Sequence, residues 1–282
     1  MQGLAPSYPH GVLLSRTRGK LFAMYYPAPD RGTAEHLVYV PPFASEMGHS
    51  RDVIAGLARE IASRGVAVLV PDLLGCGDSS GDFSEARWEL WRDDLEAVCV
   101  WLEDTGVEQL SLWGLRLGAT LAMDFAQYSQ RQFKRILLWE PVTDGSRMLS
   151  QFLRMNLVPD DCRASLRALL STPELRMTLP KGETVQVAGY EMANELLGAI
   201  DKLRLVALAQ FVSAPMSCLE FVSRHDQQVD LALQQTLEQW KTAGLRVSSF
   251  REVAWPFWLF PCSVDYRNLV SVLRQMLNLG QA

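Results

Sequence analysis

The stretch Gln109-Leu110-Ser111-Leu112-Trp113-Gly114-Leu115-Arg116-Leu117-Gly118-Ala119-Thr120 constrains this chain more than any other. It reads as a short buried strand, a turn framed by two glycines four residues apart, and an amphipathic helix running to about Tyr128. Gly114 and Gly118 stand where side-chain bulk would strike neighbouring backbone. That is the pattern of a nucleophile elbow, G-x-S-x-G, whose central residue projects above a sheet at a helix N-terminus. The central residue here is Arg116.

The remainder of the chain supplies a sheet for such an elbow. Val12–Ser15 and Leu21–Tyr26 predict two antiparallel strands about an Arg18-Gly19 turn. His36–Val40 predicts a central strand, stopped by Pro41-Pro42 because proline cannot donate to a ladder. A helix is expected from about Glu46 to Ser63, with Val53, Ile54, Leu57, Ala58 and Ile61 on one face. Val66–Val70, Arg135–Trp139, Met216–Val222 and Arg246–Phe250 complete the strands. Helices at Leu90–Leu102, Val229–Lys241 and Val264–Leu277 lie between or after them. Strands alternating with helices predict a mostly parallel sheet covered on both faces. The alternation is lost from about Thr143 to Gln210, where Leu149–Leu157, Ala164–Leu170 and Tyr190–Leu208 read as helices. The expected organisation is a core in two parts, 1–142 and 211–282, with a helical cap at 143–210. A chain of 282 residues is long enough for one large core with such an insertion.

Charge and cysteine usage exclude several functions. A formal charge of −5 argues against non-specific nucleic-acid binding, which needs a basic face. Five scattered cysteines without a C-x-x-C pair suggest reduced thiols and no metal site. No run approaches the ~20 apolar residues of a membrane span, and Met1–His10 lacks the pattern of a signal peptide. The expectation is a cytoplasmic protein. The glycine-rich loop Gly75–Gly81 lacks the Gly-Lys-Ser/Thr ending of a phosphate loop and reads as a turn. No motif asks for a cofactor, and none specifies an oligomer or a protein partner.

Four features in order make the chain resemble the α/β-hydrolase superfamily over nearly its whole length. These are the Pro41-Pro42-Phe43 turn, the Asp72…Gly75-Cys76-Gly77-Asp78-Ser79 loop, the Gly114…Gly118 elbow and the loop Arg224-His225-Asp226. Val40–Met47 and Trp113–Ala119 also resemble a narrower group. It comprises the type 2 hydrolases associated with exosortase A systems, encoded near bacterial exopolysaccharide genes. The resemblance implies an eight-stranded sheet and a triad in the order nucleophile, acid, histidine. Asp226 matches the acid position. Arg116 stands at the nucleophile position, and the stretch 251–258, where the histidine belongs, has none.

An arginine cannot act as the nucleophile, because its guanidinium stays protonated and only donates hydrogen bonds. Losing the serine or the histidine of a working triad costs on the order of 10⁶ in turnover. A cation in the first turn of a helix opposes the macrodipole by ~0.3–1 kcal/mol, so Arg116 calls for an anion. Glu46, Glu140 and Asp226 are the internal candidates, with an anionic ligand as the other source. The amides of Phe43 and Leu117 would form the oxyanion or anion hole. Trp139, Trp255, Phe257 and Trp258 either pack against the cap or line a pocket for a sugar or an acyl chain. His225 faces either the pocket or solvent, Asp226 is a turn residue if not the acid, and His49 reads as the exposed start of its helix.

Three functions remain open on these residues. One is binding of an anionic small molecule, of acyl or sugar type, or of a partner through Arg116. The second is hydrolysis of an ester or thioester by a water activated at Glu46, Asp226 or His225. The third is a scaffold whose former pocket is closed by Arg116 and Trp255.

Overall fold

The computed structural model describes residues 8–29, 34–129, 131–156, 182–224, 228–260 and 266–279. Its strands are β1 (His10–Arg16), β2 (Gly19–Tyr26), β3 (Glu35–Val40), β4 (Val66–Pro71), β5 (Leu110–Leu115), β6 (Ile136–Trp139), β7 (Thr184–Val187), β8 (Tyr190–Ala193), β9 (Met216–Val222) and β10 (Val247–Val253). Eight of them form one sheet in the order β1-β2-β4-β3-β5-β6-β9-β10. The pairings β1–β2 and β2–β4 are antiparallel, and the others in this sheet are parallel. The helices are α1 (Ser45–Ala62), α2 (Trp88–Asp104), α3 (Leu117–Ser129), α4 (Gly145–Asn156), α5 (Asn194–Asp201), α6 (Leu231–Thr242) and α7 (Arg267–Met276).

Every residue of β3, β5 and β6 is buried, as expected of central parallel strands with helices on both faces. Side chains alternate across a strand, so these three strands feed two separate cores. Val38, Val40, Leu112, Ile136 and Leu138 meet α2 and α3 on one face. Leu37, Tyr39, Trp113, Leu115, Leu137 and Trp139 meet α1 and α7 on the other. The second core holds a column of edge-to-face rings: Tyr39 on Trp113 at 4.9 Å, Trp113 on Trp139 at 5.0 Å and Trp139 on Phe221 at 5.6 Å.

Two departures from the sequence reading matter for the site. β10 continues past Phe250, pairing Arg251, Glu252 and Val253 with Glu220, Phe221 and Val222. The loop over the sheet therefore starts at Ala254. The segment between β6 and β9 is also not wholly helical. Val185 and Val187 are buried between exposed neighbours, a two-residue period that makes β7 a strand. Ala188 and Gly189 follow at φ 52° and 83°, the positive values a two-residue hairpin turn requires. Of the predicted helix 190–208, the structure has β8, α5 and a 3-10 turn at Leu205–Ala209. The helix predicted at 164–170 lies outside the described residues. No helix among the described residues is long and apolar enough to cross a membrane.

Asp230 caps α6, its carboxylate accepting from Ala232 N at 2.8 Å and Leu233 N at 3.3 Å. Asp230→Ala should cost about 1 kcal/mol, read as a lower midpoint in urea with an unchanged slope.

Candidate functional site

The elbow is built by exclusion. A Cβ on Gly114 would lie 2.3 Å from Ala119 Cα, and one on Gly118 would lie 2.2 Å from the carbonyl oxygen of Val40. Only glycine at both positions lets β5 turn into α3 this close to β3. Between them Arg116 takes φ +56°, a conformation that costs a side-chain-bearing residue ~1–3 kcal/mol and clusters at functional sites. Its N–H donates to Trp139 O at 2.9 Å, and its own carbonyl accepts from Ala119 N at 3.0 Å. The backbone is pinned, and the side chain stands over the carboxyl ends of the strands.

There it enters a cleft of about 330 Å³ lined by Phe43, Glu46, Glu140, Phe221 and Trp258, among others, with Met148, Gln151 and Phe152 of α4 on the far wall. Of the three carboxylates expected near Arg116, Glu46 in the first turn of α1 pairs with it, Nε to Oε1 at 3.3 Å. The guanidinium also sits 5.7 Å over the ring of Trp258, within cation–π range. Neither Nη group has a hydrogen-bond partner among the described residues. Glu140 follows β6 at φ +46°, and its carboxylate accepts from Phe221 N at 2.8 Å. Asp226 and His225 lie outside the described residues.

Both cleft glutamates have raised pKa values. For Glu46 burial pushes the carboxyl up, against the opposing charges of Arg116 and His49. For Glu140 burial again leads; the Phe221 amide and Arg116 oppose it, while Glu220 and Asp230 push the same way. With both ionised, the cleft holds two negative charges against one positive.

The hole amides differ in setting. Leu117 opens α3, so its N–H has no acceptor in the helix ladder; its side chain is buried behind the elbow rather than in the cleft. Phe43 lines the cleft and packs edge-to-face on Phe152 at 5.2 Å. No backbone acceptor for its N–H is found among the described residues.

The aromatic expectations need correction. Trp139 is fully buried in the second core, because strand alternation turns it to the face opposite Leu138. Phe257 is likewise at 0% exposure, packed on Phe221 and Trp258. Trp255 is 69% exposed and lies outside the cleft, so it does not close the pocket. Instead Ala254, Pro256, Trp258 and Leu259 line the cleft, while Trp255 and Phe257 do not. His49 is half-buried rather than exposed, its Nδ1 3.1 Å from Trp258 O. It ties α1 to the loop that carries the ring under Arg116. Phe221 and the α4 residues gave no sequence signal as pocket walls, since an apolar strand or helix residue reads the same in a core as at a cleft.

The glycine-rich loop offers no anion cradle. A Cβ on Gly77 would lie 1.9 Å from Asp72 Oδ2, so the space is filled by the chain's own carboxylate, which also binds Arg51 at 2.9 Å.

The fold recurs in solved structures. Est1E from Butyrivibrio proteoclasticus, with ferulic acid bound, superposes with a TM-score of 0.66 at 15% identity, covering 95% of this chain and 98% of that one. The fold is that of the α/β-hydrolases. The Pyrococcus furiosus esterase Pf2001 gives a TM-score of 0.62 at 16% identity over 96% of this chain and 91% of its own. The thioesterase domain from the curacin biosynthetic pathway gives 0.59 at 16% identity over 94% and 99%. In sequence, an acyl transferase of Shewanella hanedai is 36% identical over 84 residues, which is 29% of this chain and 27% of that relative's length. No family model matches. Arg116 is the central residue of Gly114-Leu115-Arg116-Leu117-Gly118, where the G-x-S-x-G pattern has serine.

Proposed function

We propose that this protein binds a small carboxylate or acyl-type ligand over Arg116, on an α/β-hydrolase scaffold whose triad is degenerate. The observation that carries this reading is an elbow arginine with both Nη groups unpartnered among the described residues, facing an open cleft. A guanidinium fork suits a carboxylate or phosphate, and the Leu117 amide at the start of α3 adds a donor of the same preference. Segment 143–210 acts as the cap, with α4 as one wall. The printed name of the acyl transferase relative and the esterase and thioesterase neighbours favour an acyl group in the ligand. The resemblance at 40–47 and 113–119 favours a role beside exosortase and exopolysaccharide systems. Unpaired thiols at Cys76, Cys99 and Cys218 suit the cytoplasm.

A second reading is a serine-independent hydrolase of an ester or thioester. Two carboxyls with raised pKa beside an electrophilic arginine favour it, since such groups serve as general acid or base. Asp226 and His225 would belong to the same machinery. Hydrolysis of short and long p-nitrophenyl esters and acyl-CoA thioesters by wild type and Arg116→Ala separates the readings. The binding reading expects background rates in both, with hexanoate raising the Tm of wild type alone. Turnover in wild type that collapses in Arg116→Ala would replace it with the hydrolase reading.

A further inference from the structure

The ligand's second charged group can be argued from Glu140, an argument that rests on the reading of Arg116 just given. We infer that the ligand is zwitterionic, an amino-carboxylate whose carboxylate lies on the Arg116 Nη groups and whose ammonium lies on Glu140. Charge balance carries the first step. Glu46 already opposes Arg116 at 3.3 Å, so a simple anion would enter a cleft where Glu140 is a negative charge with no ion-pair partner among the described residues. A simple cation would satisfy Glu140 and leave the Arg116 donors unmet. A zwitterion gives each group a partner and leaves the net charge unchanged.

The setting of Glu140 carries the second step. One carboxylate oxygen is held by the Phe221 amide at 2.8 Å, and the other has no hydrogen-bond partner among the described residues. Arg116 is close enough to act on it electrostatically, but no ion pair joins them. Its acidic neighbour Glu220 pairs with Arg251 at 3.1 Å, so that cation is engaged elsewhere. Glu140 and Arg116 are also the two charged residues among the described ones held at positive φ, and both project into the same cleft. Positive φ in side-chain-bearing residues persists where surrounding structure enforces it, and such positions cluster at ligand clamps. The rings of Phe43, Phe152, Phe221 and Trp258 on the walls would stack on the ammonium's flank or on the carbon chain between the charges.

Calorimetric titration of the full chain with four six-carbon probes tests this: hexanoate, hexylamine, and the isomers L-norleucine and 6-aminohexanoate, which hold the two charges close together and far apart. At least one isomer should bind roughly tenfold tighter than either singly charged probe, the worth of one charge-assisted hydrogen bond. Glu140→Gln, which keeps an acceptor for the Phe221 amide, should erase that preference while hexanoate binds as well or better. Isomers no tighter than hexanoate in wild type, or a preference that survives Glu140→Gln, overturn the inference and leave the anion site standing. Hexanoate binding that survives Arg116→Gln overturns the reading beneath it.

Discussion

Gly118→Ala should destabilise the protein by about 3 kcal/mol or more, although alanine adds a single methyl group. The new Cβ would lie 2.2 Å from Val40 O and 2.3 Å from Pro41 O. Both contacts are backbone atoms at the carboxyl end of β3, so no side chain can swing aside. Relief requires α3 to move off the sheet, and α3 carries nine buried residues, Leu117 among them. At ~2–4 °C of Tm per kcal/mol for a chain of this size, thermal denaturation should show a fall of roughly 6–12 °C or failure to fold. Gly48 in α1 is the control, since a Cβ there meets nothing within 4 Å. Gly48→Ala should be neutral or stabilising by ~0.5–1 kcal/mol. Equal effects from the two substitutions would contradict the packing account.

Trp139→Ala should cost ~3–5 kcal/mol, the usual range for deleting a fully buried large aromatic. The ring is at 0% exposure between Trp113 and Phe221, and Phe221 in turn bears on Trp258 at 5.1 Å. A cavity at Trp139 thus opens beside Phe221, one ring removed from the Trp258 ring that faces Arg116. The Trp139 Nε1–H is buried with no partner among the described residues. Trp139→Phe removes that unmatched donor along with part of the ring, and should cost less than half as much as Trp139→Ala. Urea titrations of the three proteins give both numbers, and a phenylalanine variant as damaged as the alanine one would contradict this packing.

The sheet was legible in the sequence because its central strands are continuous apolar runs between prolines and glycines. Met216–Val222 matches β9 residue for residue. The elbow was legible because steric exclusion leaves glycine alone at 114 and 118. The pairing of Arg116 followed from electrostatics, but the choice of Glu46 over Glu140 did not. Both were expected at the carboxyl ends of strands, and only the three-dimensional entry of α1 brings Glu46 within 4 Å of the guanidinium. The aromatic wall was misread for a local reason. Trp139, Trp255, Phe257 and Trp258 are chemically alike, and that Trp258 is the one lining the cleft becomes visible only once β10 is seen to end at Val253 and the loop to start there. The hairpin β7–β8 was hidden by its turn, since Ala188 at φ 52° is not a residue that announces positive φ.

The pH dependence of anion binding tests the account of Arg116 most directly. Hexanesulfonate stays ionised throughout and has an acyl-sized tail, so any pH effect belongs to the protein. Where Glu46 and Glu140 are both ionised, they oppose an anion. As pH falls through their raised pKa values, protonation releases Arg116 from Glu46 and removes the charge on Glu140. The other ionisable groups facing these two carboxyls, besides Arg116, are His49 of α1 beside Glu46, and Glu220 of β9 and Asp230 at the start of α6 beside Glu140. The account predicts that hexanesulfonate affinity rises on lowering the pH to about 5, with proton uptake on binding, and that Arg116→Gln weakens it by roughly ten- to a hundredfold. Affinity that is flat with pH and indifferent to Arg116→Gln would contradict it.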